Sequence, residues 1–411
     1  MANQFKPNRL TDLIAVRAAE SGNYLTVGAK SYFASELKPN VREDSKAMHL
    51  VARDAGKYVK GAKLSAGDKS TLKEREVDIR PNFGNVVIDT DQYSDVIEAN
   101  WDKEIAIPCG KALIEGVVAD AIKNDIGRQN IAFVGTGFLP LSKASRALGT
   151  ITSDKRYGFI DSMIDSVLAT VGKGFEPVTA DPISSKGMFG GFAGTEFREQ
   201  AFLPQVEISA DLASELATAT VSGFVKDVDS DAVTGYDVLK LSGVSETIPA
   251  GTPLFVDGIY ATNLIGNKMS FPKAFIAIED ATNGTVKVRH VDLAGQGTKE
   301  VVKADGSNVT VDDFANGKLV NPIKAGTYYA GIIRTEGAQE FDTFKNLDWS
   351  NADQTSESIE GIYVHEGRVV DIMNGTNTTR WTVVSLSQCV EPRCAAYVLI
   401  KDVDNVNLVT M

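Results

Sequence analysis

The 411-residue chain is poor in the residues that do chemistry. It has three cysteines, Cys109, Cys389 and Cys394, an odd and widely spaced set that makes no disulfide framework. They are expected to be buried thiols of a reducing compartment. It has three histidines, His49, His290 and His365, none with Cys, His or carboxylate neighbours at metal-ligand spacing. They are expected to be isolated structural residues. There is no Gly-x-Ser-x-Gly elbow and no Cys-x-x-Cys pair. No apolar run reaches the roughly 18 residues of a membrane span. The first twenty residues hold no apolar core of a signal peptide, so the sequons at Asn374 and Asn377 are expected to stay unmodified. Positive charge is also short. The net charge is −12, which disfavours a chain-wide grip on phosphate backbones.

What is present is ordinary for a globular protein, with 43% apolar and 23% charged residues. The length suggests two or three domains. Leu10 to Ala19 reads as one short helical stretch in a polar arm. Residues 44–90 read as a long hairpin. Ala47–Ala52 is β-like, SAGDKS (65–70) is a turn, and EREVDIRP (74–81) alternates charged and apolar residues. Asn82 to Asn85 looks turn-like before the strand VVID (86–89). The tip between Lys57 and Lys73 is rich in lysine and glycine, with too few apolar residues to pack on itself.

The best helix lies within 94–126, with apolar rows Leu113, Val117, Ala121 and Ile114, Val118, Ile122. Gly127 is placed to cap it, and Pro108 should kink it or mark its start. From 131 to about 217 the signals are mixed. LSKASRALG and RYGFIDSMIDSVLATVG read as helices, MFGGFAGTEF as a glycine-punctuated strand, and ISADLASELATAT as helix or strand. From about 219 to 325 only strands and turns are signalled, including IPAGTPLFVDGIYA (248–261) with Gly251 and Gly258 at its turns. IEGIYVHEGRVVDI and WTVVSLSQCV then return to mixed α/β, so the β module is an insertion in a host domain.

Two motifs hint at ligands. FVGTGF (133–138) places Gly-x-Gly after a strand, but lacks the third glycine and an immediate helix, so a tight turn is the better reading. DVDSD (227–231) alternates aspartates as a calcium loop does. An EF-hand needs Gly at loop position 6 and Glu at 12, where this chain has Ala232 and Val238. The loop is either a solvated hairpin turn or an acidic contact for basic residues of another subunit.

The order of elements resembles the major capsid (coat) protein of tailed bacteriophages, with the Hong Kong 97-type fold. More narrowly, it resembles podovirus-type coat proteins that carry an inserted β domain. Specific stretches carry the resemblance. STLKEREVDIRPNFGNVVIDTDQYSDVI (70–97) is similar to the end of the family's extended loop. NWDKEIAIPCGKALIEGVVADAI (100–122) is similar to its spine helix. SKASRALGTITSDKRYGFIDSMIDSVLA (142–169) and KGMFGGFAGTEFREQAFLP (186–204) resemble its axial domain, and 238–280 resembles the barrel strands of the insertion. The family often has Gly-Asp and Gly-Val where this chain has Gly251-Thr252 and Gly258-Ile259.

The resemblance implies an α+β fold divided into an N-terminal arm (1–40), extended loop and peripheral strands (41–92), and spine helix (93–130). The axial domain (131–218) would follow, then the inserted β-barrel domain (219–328) and a second axial and peripheral part (329–411). It implies a non-enzymatic shell protein of the virion, assembled in the bacterial host cytoplasm, without cofactor or metal. Its partners would be copies of itself in hexamers and pentamers, a scaffolding protein, a portal protein at one vertex, and enclosed double-stranded DNA held without specific binding. A decoration protein is a further partner left open; a membrane is not expected. Asp227, Asp229 and Asp231 would contact a neighbouring subunit, and Asp12 or Glu20 of the arm a basic scaffolding protein. The rival reading is a surface adhesin or carbohydrate-binding protein, with Phe255, Tyr260 and Tyr236 as its aromatic platform.

Overall fold

The computed structural model describes residues 11, 14–15, 23–30, 47–53, 74–79, 82–89, 105–164, 191–229, 235–293, 299–315, 317–344, 353–359, 361–371 and 376–402. The architecture is α+β, with strands far outnumbering helices. The chain divides into two compact units. One comprises 1–49, 78–122 and 339–388; the other comprises 50–77, 123–338 and 389–411.

The first unit is built on a six-stranded sheet. Its order is Ala29–Lys30, Gln339–Thr343, Thr376–Cys389, Ile362–Asp371 and Asp353–Ile359, with Asn82–Asp89 also paired to Thr376–Cys389. The last three of the ordered strands come from the region expected to be mixed α/β. All are strands. In Thr376–Cys389 the sequence is ambiguous because Trp381 to Ser385 are buried residue after residue, which leaves no period to tell helix from strand.

Helix α1, Ile107–Asp125, carries Pro108 in its first turn, where a missing N–H costs little. Both expected apolar rows are buried, from Leu113 at 2% to Ile122 at 1% exposure. Gly127 follows the helix with φ +91°, a left-handed conformation that suits glycine. Asn82 to Asn85, expected as a turn, is strand. Gly84 is there for space: a Cβ would sit 2.4 Å from Val117 of α1.

Parts of the N-terminal arm are pinned to this unit. Thr11, Ile14, Ala15, Tyr24 and Leu25 are fully buried. Thr11 Oγ1 donates to Glu366 Oε2 at 2.8 Å, and Trp381 Nε1 donates to the same oxygen at 2.9 Å. A buried carboxylate is tolerable only when its lone pairs are filled in this way. The loop tip, Lys57 to Lys73, lies outside the described residues.

The second unit holds a seven-stranded sheet ordered Ile131–Gly135, Ala395–Lys401, Gly326–Thr335, Arg156–Ile160, Thr195–Glu199 and Gly191–Phe192, with Gln205–Ile208 also on Gly326–Thr335. Helix α2, Leu139–Ile151, packs Leu141, Ala144 and Leu148 against Ile131, Ile333 and Val398 of the sheet. Arg156–Ile160 is strand where helix was expected. Gly158 faces the ring of Phe197 on the next strand, and a Cβ there would lie 2.4 Å from it. The stretch left open as helix or strand is both: strand Gln205–Ile208, then helix α3, Ala210–Thr218, capped by Ser209 Oγ on Leu212 N–H.

The β region forms two three-stranded sheets. One is ordered Thr220–Asp229, Tyr236–Ser242, Thr285–Arg289; the other Lys268–Ile276, Pro253–Thr262, Val301–Lys303. Phe314, on the short 3₁₀ turn Val311–Phe314, ties them together. Its ring stacks on Phe224 of the first sheet at 4.3 Å and meets Phe275 of the second edge-on at 5.5 Å. Gly258 is not at a turn but within the strand Pro253–Thr262, at an irregularity in its register. Its φ of +80° lets the bulge form. Gly251 is a point of close approach: a Cβ would meet the Tyr397 hydroxyl at 2.9 Å and Val206 at 3.0 Å.

The β region also joins the seven-stranded sheet through buried Arg393. Glu391 accepts from Arg393 Nε at 2.8 Å and Nη2 at 2.9 Å, and Nη1 donates to the carbonyls of Asn263 and Leu264 at 3.4 Å. Replacing Phe314 with alanine should lower unfolding free energy by about 3–5 kcal/mol, the usual cost of a deleted core ring. Denaturant unfolding measures it, and a loss under about 1 kcal/mol would show that the ring does not join the two sheets.

Candidate functional site

Of the sequence-predicted contact carboxylates, the described residues reach Asp227 in full and Asp229 by its backbone. Thr220–Asp229 pairs antiparallel with Tyr236–Ser242, with a register shift between Val225 and Asp229. Asp227 sits in that bulge with φ +54°, a left-handed conformation in which Asp is among the better tolerated non-glycine residues. Its side chain is 59% exposed. Val225 and Val228 beside it are exposed as well. Asp229 ends the strand opposite Tyr236. The side chain of Asp229, and Asp231, Asp12 and Glu20 entirely, lie outside the described residues.

The bulge is held by a carboxylate that the sequence reading passed over. Asp237 is fully buried. Its Oδ1 accepts from the Asp227 backbone N–H at 2.8 Å and from His290 Nδ1 at 2.9 Å, and its Oδ2 accepts from the Val291 N–H at 3.0 Å. The imidazole must carry its proton on Nδ1 to donate there. Asp227 Oδ1 lies 3.5 Å from the same nitrogen. His290 therefore has two carboxylate neighbours, contrary to the expectation of an isolated residue. The signal was strand pairing, not spacing: Asp237 pairs with Val288, and His290, two residues further along that strand, lies diagonally across on the same face. A pairing across fifty residues leaves no local pattern to read.

Asp227, Asp237 and His290 offer ligand atoms within 4.8 Å of one another. The arrangement is nonetheless a hydrogen-bond clamp. Both Asp237 oxygens are engaged, and a cation would have to strip a buried backbone N–H of its acceptor, which costs about 1–3 kcal/mol. Chemically, the clamp fixes a strained bulge so that the Asp227 carboxylate faces solvent.

The remaining motifs are structural. Gly137 has φ +60°, and α2 begins at Leu139, so a helix does follow FVGTGF directly. His365 is buried, accepted at Nε2 by the Phe344 carbonyl at 2.7 Å, and burial pushes its pKa down. All three cysteines are buried and free, and burial raises Cys394 to about 12. The aromatic platform of the rival reading does not form. Phe255 is buried, Lys268 covers the Tyr260 ring at 4.5 Å, and Lys287 covers Tyr236 at 4.6 Å.

Replacing Asp237 with alanine leaves two backbone N–H groups and an imidazole without their acceptor, and should cost about 2–5 kcal/mol in denaturant unfolding. Added Zn²⁺ or Ca²⁺ should not raise the melting temperature of the parent protein. A metal-dependent rise that Asp237→Ala abolishes would make the cluster a metal centre.

No family model matches the sequence, and no curated protein matches it. Among solved structures, the chain is similar to a capsid of a Helicobacter pylori bacteriophage, KHP30, at 8% identity and TM-score 0.42, covering 98% of this chain and 93% of that one. It is similar to the capsid of Ralstonia phage GP4 at 8% identity and TM-score 0.42, covering 92% of this chain and 93% of that one. It is similar also to a structure from Mycobacterium phage Che8 at 10% identity and TM-score 0.40, covering 91% of this chain and 90% of that one.

Proposed function

We propose that this protein is the major capsid protein of a tailed phage, many copies of which close into an icosahedral shell around packaged double-stranded DNA. The observation that carries the reading is the ribbon of Ala47–Arg53 and Glu74–Ile79, whose two strands pair only with each other among the described residues. A lone two-stranded ribbon is marginal in water and gains stability by lying on another surface. The order of elements supports the same reading: ribbon, spine-like α1, a sheet with helix α2, then a β excursion before the sheet is completed. The described parts of the stretches 70–97 and 100–122, which resemble the family's extended loop and spine helix, lie on the ribbon, the strand Asn82–Asp89 and α1. In this reading 219–328 is an inserted domain of the subunit. The role is structural and needs no catalysis.

Within the shell, copies meet in hexamers and pentamers, a portal protein takes one vertex, and a basic scaffolding protein guides assembly in the host cytoplasm. Asp227, Asp229 and Asp231 reach cations of a neighbouring copy. Exposed pairs of this kind contribute only about 0–1 kcal/mol each, but closed symmetry repeats them across the shell.

Electron microscopy of the expressed protein should show closed shells; small soluble oligomers alone would overturn the reading. Asparagine at Asp227, Asp229 and Asp231 removes the charge and keeps a residue that tolerates the left-handed bulge. The clamp survives too, because Asp227 joins Asp237 through its backbone N–H. This variant should yield fewer closed shells. Unchanged yield and shape would discard the acidic contact while leaving the shell reading standing. For the arm, D12A/E20A is the informative variant, because a deletion of 2–20 would also strip buried Thr11, Ile14 and Ala15 from the first unit. It should weaken binding to a basic scaffolding protein, and unchanged binding would rule that contact out.

A further inference from the structure

A cavity of about 980 Å³ opens in the second unit, between one face of α2, the strand Ile131–Gly135, the β region and the segment before Gly326–Thr335. Its size is at the upper end of small-molecule sites, roughly 300–1,000 Å³. Its charge departs from the rest of the molecule. Four cationic side chains line it, Lys143, Arg146, Lys324 and Lys401, with no aspartate or glutamate among the lining residues. The whole chain carries −12. Cationic side chains gathered around one cavity make its potential positive, and walls of low dielectric focus that field on whatever enters it.

The cations come from three places in the chain and are set by distinct contacts. Lys143 and Arg146 lie three residues apart on α2, so they share a face of the helix. The Lys324 backbone is fixed by the Tyr328 hydroxyl, which donates to its carbonyl at 2.9 Å. The stem of Lys401 lies over Gly326, where a Cβ would be 2.3 Å from its Cε. The residue after it, Asp402, is tied back by its N–H to the Thr327 carbonyl at 2.8 Å and by its carboxylate to the Tyr329 hydroxyl at 3.3 Å. Between the cations the lining is largely apolar and aromatic. Phe271 is half-buried and meets Phe133 edge-on at 5.1 Å, leaving part of its ring surface for contact.

We propose that this cavity binds a nucleotide: phosphates on the cations, and a base against the Phe271 ring. Multiple cations suit a ligand carrying several charges on one small group, and an aromatic ring accepts any base by stacking. The ligand is either a free nucleoside polyphosphate or the phosphorylated end of a single strand. The assignment is independent of shell formation, because the whole cavity belongs to one unit of one chain.

The test uses purified, unassembled full-length protein. Isothermal titration is run with adenosine triphosphate, adenosine, inorganic tripolyphosphate, a 5′-phosphorylated tetranucleotide and a polyglutamate peptide. Adenosine triphosphate should bind at least roughly tenfold tighter than adenosine, and more weakly as salt rises. K143Q/R146Q, two exposed positions on α2, should weaken it by roughly tenfold or more with an unchanged melting temperature. Phe271→Ala should weaken the triphosphate and leave tripolyphosphate unchanged. A tetranucleotide tighter than free triphosphate identifies the strand end as the source; the reverse identifies the free nucleotide. Absence of binding at millimolar ligand, binding unaffected by K143Q/R146Q, or polyglutamate binding tighter than adenosine triphosphate would overturn the proposal.

Discussion

The larger unit depends on the pairing of Gly326–Thr335. This strand takes Ala395–Lys401 on one side and Arg156–Ile160 on the other, while its first residues also pair with Gln205–Ile208. It thus joins the end of the chain to segments some two hundred residues earlier. Arg334 on it is buried with its guanidinium 4.6 Å from the Phe159 ring, a contact that suits a cation removed from water. Everything between 209 and 325 must leave the sheet and return to this strand. Long-range pairing of that kind closes large loops, and such closure is slow to form and cooperative once formed.

Within each unit, buried polar side chains act as fasteners between distant segments. Asp125, at the end of α1, accepts from the Cys389 N–H at 2.8 Å. Arg393 grips the turn at Asn263 and Leu264 from the far end of the chain. Glu366 in the first unit collects Thr11 and Trp381 on one oxygen. Asp237 collects two strands and a bulge. Each such group is costly to bury alone and stabilising only when its partners arrive together, so each selects one arrangement of the chain.

Much of the fold was legible in the sequence, and the misses share causes. The rows Leu113–Val117–Ala121 and Ile114–Val118–Ile122 announced α1 because a one-sided helix has a strong period. The β region announced itself through turn residues such as Asn283-Gly284, whose φ values of +54° and +66° are those of a tight hairpin turn. Gly84 misled because glycine marks both turns and close approaches, and only the neighbour, Val117, tells which. Trp381 to Ser385 misled because burial on both faces erases alternation. Of the acidic site, Asp227 was visible as a charge in a turn. Asp237 and His290 were not, because their meeting is a matter of strand register, and the cavity cations converge from positions as far apart as Lys143 and Lys401.

One feature of the β excursion has a mechanical side. Ile208 and Gly326, just outside its two ends, pair directly as neighbours on antiparallel strands. The gap between them is a single strand spacing, about 4.8 Å, which a two-residue hairpin turn spans. The excursion therefore occupies the place of a turn, and the sheet beneath does not need it in order to close. A pull on it reaches the sheet at one point, where it acts as an unzipping force on adjacent strand ends rather than a shear along their length. Gly251 and Arg393, which hold the excursion to the sheet away from that point, spread the same load over Tyr397, Val206 and the carbonyls at 263–264.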